Sequence, residues 1–223
     1  MRQYVNRLIR LLIGLFLYAL GIVFTINANI GYAPWDAFHV GLAKIIGSSI
    51  GTISILVGLI IVVITFLLGE KLGLGTILNM VLIGVFLDFL LKLHLIPISN
   101  NLFIGIIMVI IGLFIIAIGS YFYIGSAFGA GPRDSLMIAL TRITGFPVGV
   151  CRGTIELLVV IIGWRLGGMI GIGTVISAFV IGFCVQTIFK LFHFEPTKVT
   201  HETLDQTFKI LFRRKNTPCK DNE

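Results

Sequence analysis

Five charged residues stand in otherwise apolar stretches: Asp36, Arg133, Asp134, Arg152 and Glu156. Asp36 follows Gly31-Tyr-Ala-Pro34, and Asp134 follows Gly129-Ala-Gly131-Pro132, so each carboxylate comes two residues after a proline that closes a glycine-containing turn. Proline suits the first turn of a helix, where its missing N–H leaves no bond unmade. The pattern predicts helix starts at Pro34 and Pro132, each with a carboxylate near the positive end of the helix dipole. Such carboxylates stabilise a helix start, and they can also frame a site for a solute, a cation or a proton. Arg152 and Glu156 are four residues apart and so share a helix face, as a structural ion pair or as an asymmetric solute or proton site. Arg133 either adds positive charge to the same site or marks the cytoplasmic boundary.

The remaining polar residues carry weaker signals. Asp88, matched by Gln186 further along, reads as an interfacial residue; Asn79 and Ser177 suit hydrogen bonds between helices or to a ligand. His39 has no second histidine at metal-binding spacing, so no metal is expected. Cys151, Cys184 and Cys219 have no paired spacing and read as reduced packing residues. The stretches Gly73-Leu-Gly-Thr76 and Gly171-Ile-Gly-Thr174 lack the lysine of a phosphate loop and read as helix starts or close helix contacts. No metalloprotease, serine-hydrolase or paired-carboxylate motif occurs. The expectation is a non-enzyme with no catalytic residue and no cofactor.

These residues must be positioned by membrane helices. Hydrophobic residues make up 57% of the 223 and charged ones 12%, about half the charge of an average soluble domain, and the mean hydropathy is +1.05. Lipid is the expected solvent. The net charge of +7 is concentrated in Arg2, Arg7 and Arg10 and in Lys198, Lys209, Arg213, Arg214, Lys215 and Lys220. Those are membrane-flanking positions, where cytoplasmic segments carry such an excess. Both termini are expected in the cytoplasm, and no nucleic-acid partner is needed to explain the basic balance. The basic start followed by Leu11 to Phe24 imitates a secretory signal, but further apolar spans follow and favour an uncleaved first helix.

Sliding the sequence on itself by 98 residues superimposes Gly14 on Gly112, Gly21 on Gly119, Gly31 on Gly129, Pro34 on Pro132 and Asp36 on Asp134. The register persists through Gly51 on Gly149, Gly84 on Gly182 and Lys92 on Lys190. Glycine, proline and aspartate coincide far less readily by composition than leucine does, so the chain reads as a tandem duplication. Each unit has a long apolar span (8–28, 102–126), a short helix (34–46, 132–144) and two more spans (50–68 with 75–93, 148–166 with 172–192). Thirteen residues of helix rise about 20 Å against a hydrocarbon core of about 30 Å, so the short helices do not easily cross.

The predicted fold is an all-α polytopic membrane protein of two tandem, inverted-topology repeats, each with three transmembrane helices and one re-entrant half-helix. Eight short spans are the alternative. Residues 1–100 and 101–192 would be the repeats, and 193–223 a basic cytoplasmic tail. Within that tail Leu204, Phe208 and Leu211 fit an amphipathic helix from Thr200 to Lys215 lying on the inner leaflet. The replacement of Trp35, Lys44 and Ser54 by Arg133, Arg142 and Arg152 agrees with a second copy turned toward the cytoplasm.

The segments Gly31-Tyr-Ala-Pro-Trp-Asp-Ala-Phe38 and Gly129-Ala-Gly-Pro-Arg-Asp-Ser-Leu-Met137, with the two Gly-x-Gly-Thr stretches, resemble the YczE/YitT family of bacterial membrane proteins. The resemblance covers roughly residues 8–192, and its most specific part is Gly-Pro-Arg-Asp134 followed by Arg152 and Glu156. It implies a multi-pass protein of the bacterial cytoplasmic membrane, of uncharacterised or transporter function. Two function classes remain open. One is a secondary transporter of a small polar solute, anionic or zwitterionic, or of an ion. The other is a non-transporting scaffold whose tail recruits a cytoplasmic partner. A homo-oligomer is compatible with either.

Overall fold

The structure is a computed structural model that describes residues 2–196, 199, 202 and 203. The described residues form eight helices and no strand: α1 (Arg2–Asn27), α2 (Pro34–Ile46), α3 (Ile50–Leu67), α4 (Leu74–Leu93), α5 (Leu102–Ile124), α6 (Pro132–Thr144), α7 (Val148–Arg165) and α8 (Ile172–Leu191). The bounds of α2, α3 and α4 return in α6, α7 and α8 at an offset of 98. Five helices are long and apolar enough to cross a membrane: α1 from Tyr4 onward, α3, α4, α5 and α8. Helix α7 equals α3 in length at 18 residues, but Arg152, Glu156 and Arg165 interrupt its apolar character.

Helix α1 begins at Arg2, earlier than its apolar stretch suggests. The added turns are held by their own arginines. Arg7 donates to the Ser126 and Ala127 carbonyls and lies over the Phe128 ring, and Arg10 lies over the rings of Tyr121 and Phe122. Basic side chains with such partners do not stop a helix where the apolar residues begin.

Helices α1 and α5 cross antiparallel at the centre, Gly14 against Gly119 and Gly21 against Gly112. A Cβ on Gly119 would stand 2.8 Å from the Gly14 carbonyl, and one on Gly112 would stand 2.8 Å from the Gly21 carbonyl. Lipid tails are as apolar as leucine, so helices in lipid associate through this kind of close backbone packing. Helix α4 lies along α1 and α8 along α5, while α2 packs on α7 and α6 on α3. The α2–α7 contact is again glycine-tight: a Cβ on Gly163 would stand 2.6 Å from the Phe38 nitrogen.

The breaks before α2 and α6 dock on the opposite half of the chain. The Ile30 carbonyl accepts from the Gly173 N–H, and the Phe128 carbonyl from the Gly75 N–H, both at 2.8 Å. Gly31 and Gly129 have φ of 115° and 132°, a region closed to residues with a Cβ by steric clash. Both also press on a helix start, since a Cβ on either would stand 2.9 Å from Thr174 Oγ1 or Thr76 Oγ1 respectively. The two Gly-x-Gly-Thr stretches are the starts of α4 and α8, and each threonine hydroxyl accepts from the first glycine's N–H.

One face of the bundle, the amino-terminal face, gathers the starts of α1 and α4 and the ends of α5 and α8, where Tyr121 stacks on Phe192 at 4.6 Å. On the opposite face Asn27 donates to the Ile96 carbonyl and accepts from the Ser99 N–H through its own. Asp88, expected at the interface, is half-buried and has partners on a second helix. Its carboxylate accepts from the Gly51 N–H at 2.8 Å and from the Ser49 hydroxyl, so it ties α4 to the start of α3. Cys151 and Cys184 are buried free thiols. The expected amphipathic helix of the tail and Cys219 lie outside the described residues, but Glu202 pairs with Arg7 and its N–H donates to the Ala127 carbonyl at 2.9 Å.

Candidate functional site: a charged cavity between the halves

A cavity of about 500 Å³ opens between the two halves, and all eight helices contribute to its lining. All five charged residues singled out from the sequence line it: Asp36, Arg133, Asp134, Arg152 and Glu156. The short helices make this convergence. Pro34 and Pro132 begin α2 and α6, and the charged side chains follow within the first turn of each.

On α2, Asp36 and His39 share one face and are 5% and 2% exposed. On α6, the Arg133 guanidinium lies 4.7 Å above the Trp35 ring, a cation–π contact between positions that the 98-residue offset equates. Arg133 therefore points into the cavity, within electrostatic reach of Asp36 and His39. Asp134 is held in place: its Oδ2 accepts from the Tyr123 hydroxyl at 2.8 Å, and that hydroxyl accepts from the Gly131 N–H at 3.0 Å. Gly131 forms part of the cavity wall between Tyr123 and Asn79.

Helix α7 supplies Arg152, whose Nε donates to Glu156 Oε1 at 3.1 Å. The arginine side chain is 55% exposed, so this pair contributes little to stability where water reaches it, about 0.3–0.5 kcal/mol. Asn79 and Ser177, from α4 and α8, also line the cavity. The Ser177 hydroxyl is buried and has no hydrogen-bond partner among the described residues. An orphaned hydroxyl of this kind costs about 1–3 kcal/mol. It is available to a ligand. Among the described residues no cluster of three His, Cys, Asp or Glu could hold a metal ion.

Aromatic residues of the cavity wall, Tyr18, Trp35, Tyr123 and Phe189, were not singled out from the sequence as site residues. Tyr18 lines the same cavity, within electrostatic reach of Asp36, Arg133, Asp134 and Arg152. The 98-residue offset offered a signal. Tyr18 aligns with Ile116 and Tyr123 with Thr25, so each hydroxyl-bearing ring departs from the other copy, as Arg133, Arg152 and Glu156 do. The site combines fixed charges of both signs, phenol, amide and hydroxyl groups, and apolar walls. Such a lining suits reversible capture of a small polar or charged molecule.

The chain is 38% identical over 175 residues to the uncharacterised membrane protein YczE of Bacillus subtilis, covering 78% of this chain and 80% of that one. An uncharacterised protein of Haemophilus influenzae is 33% identical over 79% of this chain and 80% of its own length. The uncharacterised protein YyaS of Bacillus subtilis is 27% identical over 74% and 83%. No solved structure matches the chain. The model of the family of unknown function DUF6198 matches residues 5–190, a range that contains every helix core and every charged residue of the cavity. The chain belongs to that family and is a YczE-like bacterial membrane protein.

Proposed function

We propose that the chain is a secondary transporter of a small polar solute, anionic or zwitterionic, across the bacterial cytoplasmic membrane, with both termini in the cytoplasm. Helices α1, α3, α4, α5, α7 and α8 cross the bilayer, and α2 and α6 are half-helices that enter from opposite sides. The two units are inverted repeats, three crossings each, related by an axis in the membrane plane. The 98-residue recurrence of helix bounds and the antiparallel glycine crossing of α1 and α5 support that relation.

One observation carries the transport reading. Five costly intramembrane charges from three separate helices line a central cavity, together with a buried hydroxyl that has no partner among the described residues. A scaffold gains nothing from such an arrangement, whereas non-helical backbone and charge at membrane depth are expected where they line a solute path.

The test is solute uptake by the purified protein in liposomes, screened over amino acids, small carboxylates and small amines. Asp36→Asn, Arg133→Gln, Asp134→Asn, Arg152→Gln and Glu156→Gln follow on whichever solute moves. A lost hydrogen bond to a charged group costs about 1.5–3 kcal/mol, so a contacting residue should lower uptake about tenfold or more. Unchanged uptake in all five folded variants rejects the site. Truncation after Thr203 keeps the Glu202–Arg7 pair and removes the rest of the tail. Uptake should survive that change, whereas a recruiting scaffold would lose its partner.

A further inference from the structure

The two halves differ at one seam. In the first half α3 and α4 are packed together, with Gly51 and Gly84 both buried; a Cβ on Gly84 would stand 2.6 Å from the Gly51 carbonyl. Asp88 locks this contact through the Gly51 N–H. The positions equivalent at an offset of 98 are Gly149 on α7 and Gly182 on α8. Both are exposed, and a Cβ on either would meet nothing within 4 Å. Helices α7 and α8 do not pack on each other to any comparable extent. Between them the cavity runs past Arg152 and Val185 to Phe189 and Pro196, toward the amino-terminal face.

Glycine in a helix interior weakens the helix unless close contact repays it. Gly51 and Gly84 are repaid in this structure, while Gly149, Gly153 and Gly182 are not. Two packings of one sequence that differ little in free energy are how membrane carriers expose one site to each side in turn. We propose that the α7–α8 seam closes Gly149 onto Gly182 in a second state, as the α3–α4 seam parts at Gly51 and Gly84. The structure then corresponds to the state open to the amino-terminal face, and the second state opens the same cavity to the other. This inference rests on the transport reading for its purpose but not for its measurement.

The test uses the full chain in oriented vesicles, with Cys151→Ala, Cys184→Ala and Cys219→Ser as background and Ser54→Cys in the cavity wall as reporter. A membrane-impermeant maleimide, added to one side at a time, should label the reporter from both sides as the protein cycles. Adding Gly149→Cys and Gly182→Cys and oxidising should join α7 to α8 within one chain. Labelling from the amino-terminal face should then fall about tenfold or more, and labelling from the opposite face should persist. Gly182→Leu, which fits the space present here, should do the reverse and abolish labelling from the opposite face. Failure to cross-link, a cross-link between two chains, or a cross-link that leaves both labelling rates unchanged overturns the proposal. Labelling needs no solute, so an alternating seam without uptake would reject only the transport reading. Uptake with unaltered labelling would reject only the seam.

Discussion

At the residue scale, the pairing of Tyr123 with Asp134 fixes the start of α6 where the cavity is narrowly defined. Tyr123→Phe leaves the carboxylate and the Gly131 N–H without their partner, at a cost of about 1–3 kcal/mol. The expected outcome is a lower melting temperature in detergent with the fold retained by circular dichroism. Trp35 offers an optical reading of the site, because the second tryptophan, Trp164, is 61% exposed and does not line the cavity. In a Trp164→Phe background, a solute that enters beside Arg133 should change Trp35 emission, and Arg133→Gln should weaken the response. Arg133→Lys should rescue it poorly, since an ammonium loses the planar stacking of a guanidinium. The charged members of the site were legible in the sequence because charge is conspicuous in an apolar chain. Tyr18 and Tyr123 showed only as mismatches in the 98-residue alignment, because a tyrosine in a membrane helix is more often an interfacial anchor. Only the third dimension turns these two inward.

At the element scale, the spans and the short helices were legible almost to the residue, from apolar length and the Gly–Pro punctuation before Pro34 and Pro132. The early start of α1 was not, since hydropathy cannot register an arginine that bonds a carbonyl 119 residues away in sequence and lies on the Phe128 ring. The role of Asp88 was hidden for the same reason: its partners Ser49 and Gly51 sit on the neighbouring helix. Asp88→Ala removes the acceptor of the Gly51 N–H and the Ser49 hydroxyl and should destabilise the protein by about 1–3 kcal/mol, read as a drop in thermal stability. Glycine exchanges should split by half. Gly51→Ala forces a Cβ into the Gly84 backbone and Asp88, and overpacking of this kind costs about 1–3 kcal/mol. Gly149→Ala meets open space and should stabilise α7 by about 0.5–1 kcal/mol. Thermal unfolding of the two single variants in the same detergent checks the contrast.

At the scale of the whole molecule, the bounds of α2, α3 and α4 recur at an offset of 98; the charges that differ between the halves were legible in the sequence, whereas the difference in glycine packing was not. Identical glycines read alike, and only the fold distinguishes a glycine under a neighbouring backbone from one facing a gap. The reciprocal docking of the breaks has a consequence for biogenesis. The Ile30 carbonyl waits for the Gly173 N–H, and the Gly75 N–H waits for the Phe128 carbonyl. During synthesis the first half enters the bilayer with these groups unbonded, at a cost of several kcal/mol each if lipid reaches them. A first half made alone should therefore be unstable in the membrane, and the second half should complete its folding. Cutting the gene between α4 and α5 should yield two fragments that are each degraded when made alone. Made together, they should accumulate and copurify.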